Sequence, residues 1–60
     1  MTNPQITEAA PHDGMRHLVL TDCTGAEAHW LRDPAGVWFR GWGAQMFGAL
    51  DAVEDYITIG

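Results

Sequence analysis

The tetrapeptide Asp33, Pro34, Ala35, Gly36 splits the most aromatic stretch of the chain, residues 27–42 (EAHWLRDPAGVWFRGW), and constrains the fold more than any other feature. Asp can bond the turn backbone from position i, Pro presets φ at i+1, and Gly accepts the positive φ that ends a type I turn with a G1 bulge. The stretch therefore reads as a β-hairpin closed between Asp33 and Val37. That register sets Arg32 opposite Trp38, Leu31 opposite Phe39, Trp30 opposite Arg40 and Ala28 opposite Trp42. Side chains alternate across a strand, so one face gathers Trp30, Trp38 and Trp42 with Arg32 and Arg40. The other face holds Leu31, Val37 and Phe39 with His29 and Gly41. A slip of one residue would mix the two sets. Both faces carry large apolar groups, so one should meet the chain's own helix and the other a partner or partial exposure.

Upstream, residues 15–21 (MRHLVLT) have the aliphatic and β-branched density of a strand, with Leu18 and Leu20 on one face and His17, Val19 and Thr21 on the other. Residues 22–26 (DCTGA) are turn chemistry, so this strand should turn directly into the hairpin. Residues 1–14 hold Pro4 and Pro11 with no periodic apolar pattern and read as a flexible N-terminal arm. Downstream, Met46, Leu50, Val53 and Ile57 recur at helical spacing with Ala49, Ala52 and Tyr56 beside them. Gly43 and Gly48 weaken a helix interior, which favours a start after Gly48 and puts Asp51 in the first turn. Thr58, Ile59 and Gly60 read as a short β-like end. The expected fold is α+β: a small three-stranded antiparallel β-meander packed against one C-terminal α-helix, with residues 15–60 as a single mini-domain.

Sixty residues form one domain at most, near the lower limit for folding without a staple. The lone Cys23 excludes an internal disulfide, and no run resembles a signal peptide or a membrane span, so the cytoplasm is the expected location. The net charge is −5 and the only cations besides histidine are Arg16, Arg32 and Arg40. Nucleic-acid binders need cations to neutralise phosphates, so direct DNA or RNA binding is disfavoured and a basic protein surface suits this chain better.

Chemistry-bearing residues are present without the spacing that chemistry needs. His12, His17, His29 and Cys23, with Asp22 and Glu27, supply ligand atoms but form no ligand motif, so neither a metal nor another cofactor is expected. Cys23 reads as a half-buried small residue, and Asp51 and Asp55 as ordinary carboxylates on a solvated helix face. No catalytic residues are assigned, and the chain reads as non-enzymatic.

The tryptophan and arginine face has two readings. In one, Trp30 and Trp38 are core under Met46, Leu50 and Val53, with Arg32 and Arg40 at the rim. In the other, Leu31, Val37 and Phe39 face the helix, leaving the indoles and arginines as an exposed patch rich in hot-spot residue types. The expected function is protein binding through Trp30, Arg32, Trp38, Arg40 and Trp42, or through an acidic helix face of Asp51, Glu54 and Asp55, extended by Asp22, Glu27 and Asp33. Short, acidic, cysteine-poor chains resemble in kind the anti-CRISPR-like accessory inhibitors of phages and mobile elements, which occlude a basic nucleic-acid-binding surface of a partner complex. The alternative is a homodimer through the aromatic sheet face, and a distant third is a small nucleic-acid binder.

Overall fold

Asp13 and Gly14 both have positive φ, 52° and 76°, which is what the two central residues of a type I′ turn require. This Asp-Gly pair folds residues read as arm back onto the sheet as an additional strand. The computed structural model describes residues 5–59: β1 is Gln5–His12, β2 Met15–Thr21, β3 Glu27–Arg32, β4 Trp38–Gly43 and α1 Ala49–Ile59. The sheet is antiparallel in the order β1-β2-β3-β4, so it has four strands where three were expected. The rest of the expected arm, residues 1–4, lies outside the described residues.

The other two turns form as their residues dictate. Asp22 Oδ1 accepts from the backbone N–H groups of Thr24 and Ala26 and from the Thr24 hydroxyl, at 2.8, 3.1 and 2.6 Å. These bonds hold the Asp22 carboxyl below its ordinary value, the Thr24 side chain contributing most. At the tight hairpin, the Asp33 N–H donates to the Val37 carbonyl at 3.0 Å, and the Val37 N–H donates to Asp33 Oδ1 at 2.8 Å. Gly36 has φ 91°, as the turn needs.

The core forms where α1 meets the face of Leu18, Leu20, Ala28 and Trp30. Leu18 and Val53 are fully buried, and Leu20, Ala28 and Ala49 are nearly so, with Ile6, Trp30, Met46 and Ala52 packed against this last group. Burying each of the larger aliphatic side chains, such as Leu18, Leu20 and Val53, contributes about 1.5–3 kcal/mol. The helix starts after Gly48 and runs through Thr58 and Ile59, so the expected β-like end belongs to it instead. The Thr58 hydroxyl donates to the Glu54 carbonyl at 3.0 Å, a bond within the helix that offers this residue an alternative to strand pairing.

Both edge strands carry an extra residue, and this overturns the expected pairing of Ala28 with Trp42. Ala28 pairs with Gly43 and Trp30 with Arg40, so β4 spends three steps where β3 spends two. Trp42 thereby leaves the face of Trp30 and Trp38. Glycine permits the close approach: Gly43 has φ 96°, and a Cβ there would run into the Glu27 carbonyl oxygen. In β1 the same device acts between Ala9, opposite His17, and His12, opposite Met15, in a segment containing Pro11.

Arg40 fastens the end of β4. Its guanidinium donates to the carbonyls of His29, Trp42, Gly43 and Ala44 at 3.0–3.2 Å and lies over the Trp30 ring, 5.1 Å from its centroid. Planar donors can serve several carbonyls together, whereas an ammonium cannot reproduce that fork. Replacing Arg40 with Met should therefore lower stability by about 1–2 kcal/mol in urea unfolding, with Arg40→Lys recovering little of it. A midpoint unchanged in Arg40→Met would show that the guanidinium does not tie the strand.

Candidate functional site

The helix covers one side of the sheet and leaves the other open. On the open side β1 contributes Thr7, Ala9 and, after its bulge, His12; β2 contributes His17, Val19 and Thr21; β3 contributes Glu27, His29 and Leu31; β4 contributes Phe39 and Trp42. The alternative in which Leu31, Val37 and Phe39 face the helix is thus overturned. Val19 and Leu31 are buried in this face, while Phe39, Trp42 and Val37 remain 46, 45 and 51% exposed.

All three histidines of the chain cluster with Trp42 here. The Trp42 ring stacks on His29, with centroids 4.8 Å apart and planes 17° from parallel. It also lies 4.9 Å from His17 and meets His12 edge-on at 5.4 Å. His17 Nε2 and His29 Nδ1 are 2.8 Å apart. One nitrogen must donate and the other accept, so this hydrogen bond exists only while at most one ring carries a second proton. Glu27 Oε1 lies 3.5 Å from the other nitrogen of His29. Burial pushes the His17 pKa down, and the neighbouring His29 and His12 act in the same direction, against a raising backbone hydrogen bond to Ala10.

The sequence-predicted site residues divide between two layers. Trp30, Trp38 and Arg32 are half-buried on the helix side and Arg40 is exposed there, with Arg40 and Arg32 over the Trp30 and Trp38 rings, each at 5.1 Å. The Trp30 indole N–H is buried and finds no acceptor among the described residues. Arg16 grips Glu8 with Nε and Nη2 at 2.9 and 2.7 Å, which lowers the Glu8 carboxyl and raises the guanidinium through that hydrogen bond.

Asp51, Glu54 and Asp55 are exposed on α1, and none has an ion-pair partner among the described residues. The expected extension of this acidic surface does not assemble. Asp22 and Asp33 sit in turns at opposite ends of β3, each engaged with backbone N–H groups, and Glu27 belongs to the open face. Cys23 is exposed rather than half-buried. Among the described residues no group of three or more histidine, cysteine or carboxylate side chains converges on a metal position.

The histidine cluster was missed because positions 12, 17 and 29 have no telling spacing. Its traces in the sequence are Asp13-Gly14, which pairs β1 with β2, and Gly41 and Gly43, which let β4 bulge. What the arrangement offers chemically is an apolar surface over a pair of rings sharing one proton.

Folding stability should record that pair. His17 has its pKa depressed in the folded chain, so its contribution is fully present above the unfolded histidine value of about 6.5 and is lost as pH falls through the folded value. The thermal midpoint should decline below that pH in the wild type and decline less in His17→Gln; parallel curves would exclude His17 as the source. No protein-family model, curated protein or solved structure matches this chain.

Proposed function

We propose that this chain is a non-enzymatic protein-binding module that docks through the open face of its sheet, with Trp42 and Phe39 as anchors. The observation that carries the reading is the uncovered face itself. Trp42, Phe39 and Val37 are about half exposed around buried Leu31 and Val19, so a partner would remove further apolar area from water without unfolding anything. Tryptophan in such a setting is the residue type whose truncation most often costs an interface its affinity.

Charge narrows the partner. The chain carries −5 and has no lysine, which favours a protein with a basic surround over a nucleic acid. In its finer form the reading is an accessory inhibitor of the phage or mobile-element kind that covers a basic, nucleic-acid-binding surface. A second reading is self-association through the same face, favoured by the distribution of charge. The open face holds Glu27 and three histidines, whereas Asp51, Glu54 and Asp55 lie on the helix layer, so two copies meeting sheet to sheet would keep those carboxylates outermost.

Light scattering at micromolar concentration and pH 7.5 separates the two readings, since a monomer favours a foreign partner and a dimer favours self-association. Capture from a host lysate then supplies the partner. Trp42→Ala and Phe39→Ala should each weaken the association found by tenfold or more, while Glu54→Lys with Asp55→Lys should alter its rate and salt dependence. If the charge reversal abolished association and both aromatic truncations left it intact, the docking surface would be α1.

A further inference from the structure

We infer that the His17–His29 contact is a proton-sensitive latch for Trp42: a second proton on the pair breaks the contact and releases the indole, so the docking face is assembled near neutral pH and dismantled in acid. The consequence for docking rests on the function proposed above, whereas the latch is a property of the free chain.

The geometry supplies each part. The two ring nitrogens approach to 2.8 Å, a distance that a shared proton permits and that two N–H groups pointing at each other do not. Trp42 lies against both rings, at 4.8 and 4.9 Å, so neither histidine can swing away without changing what the indole rests on. His17 is 9% exposed and lies on a central strand, which leaves it little room to carry its charge into water.

The groups facing the pair set the sign. From β1, His12 lies 6.5 Å from the His17 ring and acts against charge on it; its own carboxylate neighbour is Asp13, with Oδ2 3.6 Å from His12 Nε2. A hydrogen bond to the Ala10 backbone favours charge on His17. From β3, Glu27 Oε1 stands 3.5 Å from His29 Nε2. Beside the pair β4 presents the uncharged Trp42 ring. One carboxylate thus faces two imidazoles, and the second proton has no counter-charge beside it.

The test is a titration of the ¹⁵N-labelled chain from pH 8 to pH 5 with no partner present, following the imidazole nitrogens and the three indole N–H signals. The Trp42 indole should move together with the second protonation step of the His17–His29 pair, while the Trp38 indole stays in place. His17→Gln and His29→Gln should each remove the Trp42 transition, and His12→Ala should leave it. A Trp42 signal that stays fixed while both rings take up protons would overturn the latch, as would one that follows His12 alone. If His17→Gln does not fold, the wild-type midpoints decide, and a Trp42 midpoint different from that of the pair counts against the proposal. Loss of docking in the aromatic variants is read separately at pH 7.5, so either idea can fail without the other.

Discussion

Alternation of side chains across a strand is the constraint on which the rest of this molecule depends, and one added residue in β4 breaks it at a decisive place. Up to Arg40 the strand obeys the register set at the Asp33 turn, so Trp38 and Arg40 share the helix side with Trp30 and Arg32. Past the bulge Trp42 emerges on the opposite face and stacks on His29. The backbone there is held by the Arg40 guanidinium, which serves carbonyls on both sides of the bulge. The exposed position of Trp42 and the histidine cluster around it thus depend on a local irregularity of β4, where a Cβ at Gly41 or Gly43 would collide with the backbone of β3.

The two layers divide the physical work. Small and aliphatic residues dominate the contact between α1 and the sheet, where Ala28 and Ala49 let the backbones approach and Leu18 and Val53 fill the space between them. Larger aromatic groups stay at the margins of that contact or on the other face. Trp30 packs against the core with its buried N–H finding no acceptor among the described residues, and the adjacent guanidinium, itself a donor, offers none. A chain of sixty residues buries only a modest fraction of its surface, and this one commits its enclosed volume to aliphatic packing under a single helix.

Much of the architecture was legible in the residues. The Asp33 turn, β2 with its two faces, the connection at Asp22 and the helix after Gly48 each rest on local chemistry that nothing distant opposes. The strand β1 was missed for a physical reason. Its segment contains Pro11 and a bulge and lacks an apolar alternation, because an edge strand can tolerate all three, and the evidence for it was the Asp13-Gly14 pair rather than the strand itself. Trp42 was placed on the wrong face because a bulge is invisible to a two-residue period. The exposed carboxylates of α1 followed directly from helical spacing, whereas the histidine cluster arises from strand pairing and two irregularities and has no sequence period to display.

That cluster changes what the acidity of the chain means. The carboxylates of α1 belong to the helix layer and Glu27 to the open face, so under the proposed docking charge would govern approach while the aromatic face would govern contact. The three histidines lie on the one face where the carboxylates are scarce. Protons bound on that face would bring the net charge toward zero while carrying the face itself past the negative charge of Glu27 to a positive one, so net charge alone would not track docking through it. The local field at Trp42 and the summed charge of the chain respond to the same protons with opposite consequences. Under the proposed docking and latch, a partner matched to the neutral face would lose contact in acid even as long-range repulsion between acidic molecules declined.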